Sequence, residues 1–207
     1  MKHLYKILLF VLLCELCWGL QAQDLKIISF KIRYNSWNNI DGENGWPYRK
    51  AAVVRMILEE HPAAIGLQEA LIDQLQYLDS CLPDYQRIGV GRDDGMEAGE
   101  FMAIYYDTSR LQLLDYETRW LSETPGEPSL GWDAACRRTV TVAHFLDRKS
   151  GEDFAYLNTH LDHVGKKARA EGAKLIAALV NSYGPHEMPV IIGGDMNSSI
   201  EIGRAHV

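Results

Sequence analysis

Four short segments of this 207-residue sequence carry residue types able to do chemistry, and each follows an apolar run: Gln68-Glu69, Asn158 to His163, Gly193 to Asn197, and Arg33-Tyr34. A packed sheet holds a strand-end residue rigidly while the adjoining loop leaves room for a ligand. Glu69 is the natural ligand for a hard divalent cation, because Mg2+ takes one or two carboxylates and keeps waters and phosphate oxygens. The same residue would also sit at the N-terminus of a helix expected from about Ala70, where its charge is favourable by about 0.3–1 kcal/mol. His160, Asp162 and His163 admit three readings: a transition-metal site, a proton-transfer site, or a solvated strand end. Strand alternation puts His160 and Asp162 on one face and Leu161 and His163 on the other, which favours acid/base or phosphate work over zinc. Gly193-Gly194-Asp195-Met196-Asn197 has the composition of a turn as well as of a site.

The elements that must position these residues are legible in the hydrophobic pattern. Leu25 to Phe30 reads as a strand, and Pro47 opens an amphipathic helix to about Glu60 with Val53, Val54, Ile57 and Leu58 on one stripe. His61-Pro62 stops it, Ala63 to Leu67 forms a short buried strand, and a helix carrying Leu71, Leu75 and Leu78 follows. Strands are expected over Phe101–Tyr106, Leu111–Trp120, Val140–Leu146 and Phe154–Thr159, then a helix over Lys166–Tyr183. Val190-Ile191-Ile192 reads as a fully buried strand ended by Gly193-Gly194. Strands that follow one another between helices point to a mixed α/β domain, not an alternating parallel one.

Composition narrows the function classes. With 21 Lys+Arg against 28 Asp+Glu, a net charge of −7, the chain lacks the broad basic face of a passive nucleic-acid binder. Any nucleic-acid contact would be local or metal-mediated. Residues 1–22 have the order of a secretory signal: Lys2 and Lys6, the apolar run Ile7 to Leu13, then small Ala22. The expectation is a secreted or periplasmic protein with no stable membrane partner once the signal is cut, the alternative being a short uncut anchor. Cleavage removes Lys2, Lys6 and Glu15 and moves the net charge from −7 to −8. Cys81 and Cys136 then remain, either as a pair or as two buried thiols. Residues 202–207 read as an adapter-derived tail, which sets His206 aside and ends the native sequence near Glu201.

Taken together, Gln68-Glu69, Asn158-Thr159-His160-Leu161-Asp162-His163 and Gly193-Gly194-Asp195-Met196-Asn197 resemble the endonuclease/exonuclease/phosphatase superfamily. The resemblance covers about residues 24–200 and includes Arg33, Asp41 to Asn44, Leu121 to Pro125, Gly131 to Asp133, and Arg138. It implies one catalytic domain over 23–201 folded as a four-layered α/β sandwich, two packed mixed β-sheets flanked by helices. It also implies a Mg2+-dependent phosphoester hydrolase, with Mn2+ as a substitute, acting as a monomer on a substrate of open class that includes nucleic acid.

Carried over by residue, Glu69 would ligate the metal, His160 would donate a hydrogen bond or proton to the phosphate, Asp195 would activate water, and Asn197 would hold the phosphate. Arg33, Arg138, Asp162 and Arg169 would stand on the substrate side or support the site, and Trp46 and Trp132 would wall it or simply pack. Two departures stand out. The family usually has Asn where this chain has Lys31, and a protonated lysine cannot ligate Mg2+. The family's terminal Ser-Asp-His motif, whose histidine is the general base, lies beyond this sequence. The resemblance therefore implies a fold incomplete at its C-terminus and an inactive fragment; the alternative is a phosphate-binding module in which Lys31 replaces the metal.

Overall fold

Period-two alternation along paired strands builds the layers of the molecule. The computed structural model describes residues 24–36, 40–183 and 188–198. The signal-like segment and the adapter-like tail lie outside them. In the first sheet β1 (Ile27–Lys31) runs parallel to β2 (Ala64–Gln68), while β3 (Tyr85–Ile88) and β4 (Ile104–Asp107) are joined antiparallel, in the order β1-β2-β4-β3. The second sheet has the order β5-β6-β7-β8: β5 (Leu111–Trp120), β6 (Thr139–Asp147) and β7 (Asp153–His160) are antiparallel, and β8 (Val190–Asp195) is parallel to β7.

Each parallel pair needs a crossover, and each has a helix: α1 (Trp46–Glu60) between β1 and β2, and α3 (Lys166–Ser182) between β7 and β8. A further α-helix, α2 (Ile72–Cys81), follows β2. Val53 and Ile57 of α1 and Leu75 and Leu78 of α2 pack on Ile65, Leu67 and Tyr105 of the first sheet. Between the sheets, Ala64, Ile104 and Tyr106 meet Ala143, Phe145, Phe154 and Tyr156. On the far side Ile176 of α3 covers Val140, Val142, Ala155 and Leu157. The result is the expected four-layered α/β sandwich. Fully burying one such side chain contributes about 1.5–3 kcal/mol, so all three interfaces matter.

Several expectations change in detail. The second helix starts at Ile72, not Ala70, because Ala70 is bridged to Phe101 and Leu71 is the N-cap. Glu69 is therefore not a helix N-terminal residue. Phe101 lies outside β4, and β3 has no counterpart in the sequence reading. β8 is half-exposed instead of fully buried: it has one strand neighbour in the described residues, and Ile192 is 45% exposed. Trp46 is a core residue, edge-on to Tyr77 at 5.9 Å, and Cys81 and Cys136 are both free thiols.

Candidate active site

The chain gathers its functional residues at the carboxyl ends of the two parallel strand pairs, one pair from each sheet. Lys31 stands opposite Gln68 in the first sheet and His160 opposite Asp195 in the second. Along the facing rows the sheets are joined by polar side chains. Asn158 Nδ2 donates to the carbonyls of Leu67 and Ala103, both at 2.9 Å, and its Oδ1 accepts from Gln68 Nε2 at 2.7 Å. Gly66 makes room for this bridge: a Cβ there would lie 2.8 Å from Asn158 Cγ. Beyond the strand ends, Glu69 and Asn197 adopt left-handed backbone, φ 66° and 46°, an arrangement typical of places where surrounding structure over-determines a strained residue.

Four distant stretches meet at one point. Lys31 Nζ lies 2.9 Å from Glu69 Oε1 and 2.9 Å from Asp195 Oδ2, and His160 Nε2 lies 3.5 Å from the same Asp195 oxygen. Asp195 Oδ1 accepts the Asn197 backbone N–H at 2.9 Å, and Asn197 Nδ2 donates to the Leu161 carbonyl at 2.8 Å. Burial, reinforced by the nearby Arg138 charge, pushes the His160 imidazole down to about 3, so it is neutral at ordinary pH. Burial pulls the Lys31 ammonium down, but hydrogen bonds to Asp195 and Glu69 outweigh it and raise its pKa. Asp195 is lowered: burial opposes ionisation, while Lys31 and the Asn197 N–H favour it more strongly. Three buried polar atoms of residues lining this site have no partner, Glu69 Oε2, His160 Nδ1 and Arg92 Nε. Lys31, Glu69, His160 and Asn197 line a cleft of about 420 Å3 together with Tyr34, Arg92, Glu100, Cys136, Arg138 and His163.

The other expected residues divide into wall and support. Asp162 is 1% exposed, lies beyond the end of β7 at His160, where strand alternation stops, and takes its hydrogen bonds from Arg138 and backbone N–H groups, not from His160. Its Oδ2 accepts from Arg138 Nε at 3.2 Å, and Arg138 Nη2 approaches His163 Nδ1 at 2.9 Å on the cleft wall. Arg169 Nη1 donates to the Asp162 carbonyl at 2.8 Å and lies outside the cleft. Arg33 is also outside it, paired with Asp41 at 3.0 Å and stacked over Tyr34. Trp132 does not line it either. Sequence reasoning missed Arg92 and Glu100, which form an ion pair of 2.7 Å within the cleft. Burial raises the Glu100 carboxyl against the pull of Arg92.

The donor set fits a hard divalent cation. Two carboxylates converge closely enough to grip one cationic nitrogen, and Glu69 presents a further buried oxygen with no hydrogen bond. The Lys31 ammonium is a stand-in for that cation. Cys136, Asp162 and His163 also approach one another, but Asp162 Oδ2 already accepts from Arg138 and from the Ala135 N–H.

Comparison with known proteins agrees with this architecture. The description of the Endonuclease/Exonuclease/phosphatase family matches residues 34–201. The mannosyl-6-phosphatase of Bacteroides thetaiotaomicron is 36% identical and superposes with a TM-score of 0.81, over 84% of this chain and 66% of its own. An endonuclease/exonuclease/phosphatase of Bacteroides vulgatus is 40% identical with a TM-score of 0.77, over 84% and 65% of the two chains. Nocturnin of Drosophila melanogaster is 26% identical over 170 residues, 74% of this chain and 24% of that protein. The chain thus spans just under two thirds of the two solved relatives and a quarter of Nocturnin.

Proposed function

The chain belongs to the endonuclease/exonuclease/phosphatase family, and on that premise we propose that it is the greater part of a secreted, Mg2+-dependent phosphoester hydrolase. The observation that carries the reading is the meeting of Glu69, His160 and Asp195, far apart in sequence, around one cation position. Glu69 with Asp195 would hold Mg2+, whose charge, when bound, offsets the negative charge that builds on the non-bridging phosphate oxygens. Neutral His160 presents Nε2–H toward the cleft and donates to a phosphate oxygen without adding an unpaired buried charge. Asp195, fixed by the Asn197 N–H, would orient the attacking water. The Asn197 amide holds the phosphate through N–H and adds no negative charge beside the anion.

The cleft also suggests the leaving group. Arg92, Glu100, Arg138, His163 and Tyr34 line it with both hydrogen-bond donors and acceptors, which suits a polyhydroxylated alcohol. A sugar phosphate is accordingly the substrate class we favour, in keeping with the mannosyl-6-phosphatase among the relatives. The test compares release of phosphate from mannose 6-phosphate and of nitrophenol from bis-p-nitrophenyl phosphate, with Mg2+ and with chelator. Mg2+-dependent turnover that Glu69→Ala abolishes supports the proposal. Turnover unaffected by Glu69→Ala, or none from a full-length protein loaded with metal, overturns it.

A further inference from the structure

The carboxylate pair of this chain already holds a cation of its own. Lys31 Nζ sits 2.9 Å from an oxygen of Glu69 and 2.9 Å from an oxygen of Asp195. An ammonium has three donors and no lone pair, so it takes up the oxygens a metal would use and cannot itself become a ligand. A divalent ion on the same two oxygens would stand a few ångströms from the ammonium, at a separation where like charges repel strongly in a partly desolvated site. Exposure shows which group can yield. The Lys31 side chain is 46% exposed and carries a flexible four-carbon stem, whereas Glu69, at 9%, is fixed by its surroundings.

We propose that Lys31 and a divalent ion are alternative occupants of the Glu69–Asp195 pair, so that metal uptake requires the ammonium to swing out to solvent. This rests on the reading that a divalent ion belongs at these carboxylates. Arg33, Arg92, Arg138 and Glu100 lie near enough to act electrostatically on the site's titratable groups, but none of them bridges the pair.

The full chain, stripped with chelator, is titrated with Mn2+ while the free ion is followed by electron paramagnetic resonance. Lys31→Asn is expected to bind Mn2+ at least tenfold more tightly than the wild type, and the gain should vanish in Lys31→Asn/Glu69→Ala. A second measurement needs no variant. Acetylation of the wild type with a water-soluble N-hydroxysuccinimide ester, read by mass spectrometry, should rise at least threefold at Lys31 on Mn2+ saturation, with Lys50 and the well-exposed Lys174 as unchanged references. Equal Mn2+ affinity in wild type and Lys31→Asn, or Lys31 acetylation indifferent to Mn2+, overturns the exclusion while leaving the metal site standing. No Mn2+ binding by either form overturns both.

Discussion

Replacing Asp162 by Asn asks whether one wall of the cleft stands on a single buried carboxylate. Its Oδ1 accepts the N–H groups of Val164 and Gly165 at 2.9 and 2.7 Å, and its Oδ2 accepts from Ala135 N–H and Arg138 Nε, each at 3.2 Å. An amide of the same shape has one acceptor oxygen, so whichever way it turns its NH2 faces two N–H donors. Arg138, 6% exposed, loses its counter-charge in the same step. Removing one partner of a buried pair costs about 3–5 kcal/mol. The buried donors left unmade, about 1–3 kcal/mol each, are part of that figure and not additional to it.

The pKa of Asp162 points the same way. Burial alone would raise it, yet the N–H groups of Gly165, Val164 and Ala135 with Arg138 hold it well below 3.8. The folded state therefore binds this proton more weakly than the unfolded chain does. The contribution is complete above the ordinary carboxylate pKa and is lost as the pH falls below it through the lower folded-state value. Urea denaturation at neutral pH, followed by tryptophan fluorescence, should show the midpoint of Asp162→Asn well below the wild type with the slope unchanged. A loss under about 1 kcal/mol, the ordinary cost of a point substitution, would refute the reasoning.

Two further outcomes follow from other contacts. Asn158→Leu removes the amide that donates to the Leu67 and Ala103 carbonyls and strands Gln68, and should cost about 2–4 kcal/mol, measured by thermal unfolding. Asp147 is lowered to about 2, chiefly by its hydrogen bonds from Arg110, so the stability it confers is present above 3.8 and lost as pH falls toward 2. Arg110→Met should therefore move the acid-unfolding midpoint of the chain to higher pH, read by circular dichroism.

Long, regular patterns were the readable part of this fold. Val53 and Ile57 announce α1 because that helix buries one face against the first sheet, and the apolar runs of β6 and β7 announce strands because their alternate residues are buried on both faces, between the sheets and under α3. β3 escaped because its four residues, Tyr85 to Ile88, bury only their ends and carry Gln86 and Arg87 between. The start of α2 was misplaced because Ala70 is tied by backbone bonds to Phe101, a contact thirty-one residues away that no local window contains. β8 looked like a central strand since Val190, Ile191 and Ile192 are all apolar, but apolarity does not say how many strands flank it. At the site, residues at strand ends were legible by type. Arg92 and Glu100 were not, because they sit in a loop of Gly, Asp and Glu whose composition reads as a turn, and only tertiary packing aims them at the cleft.

The polar bridge through Asn158 has a consequence beyond its hydrogen bonds. Glu69 belongs to one sheet and His160 and Asp195 to the other, so the two jaws of this mouth ride on separate slabs. Greasy surfaces alone tolerate sliding, whereas an amide pinned to two carbonyls and a glutamine fixes the gauge between the slabs. Misplacement of reacting groups by about 1 Å can cost a hundredfold in rate. A rivet set two residues back from His160 thus governs how faithfully the jaws meet, and loosening it would blunt the bite before the molecule came apart.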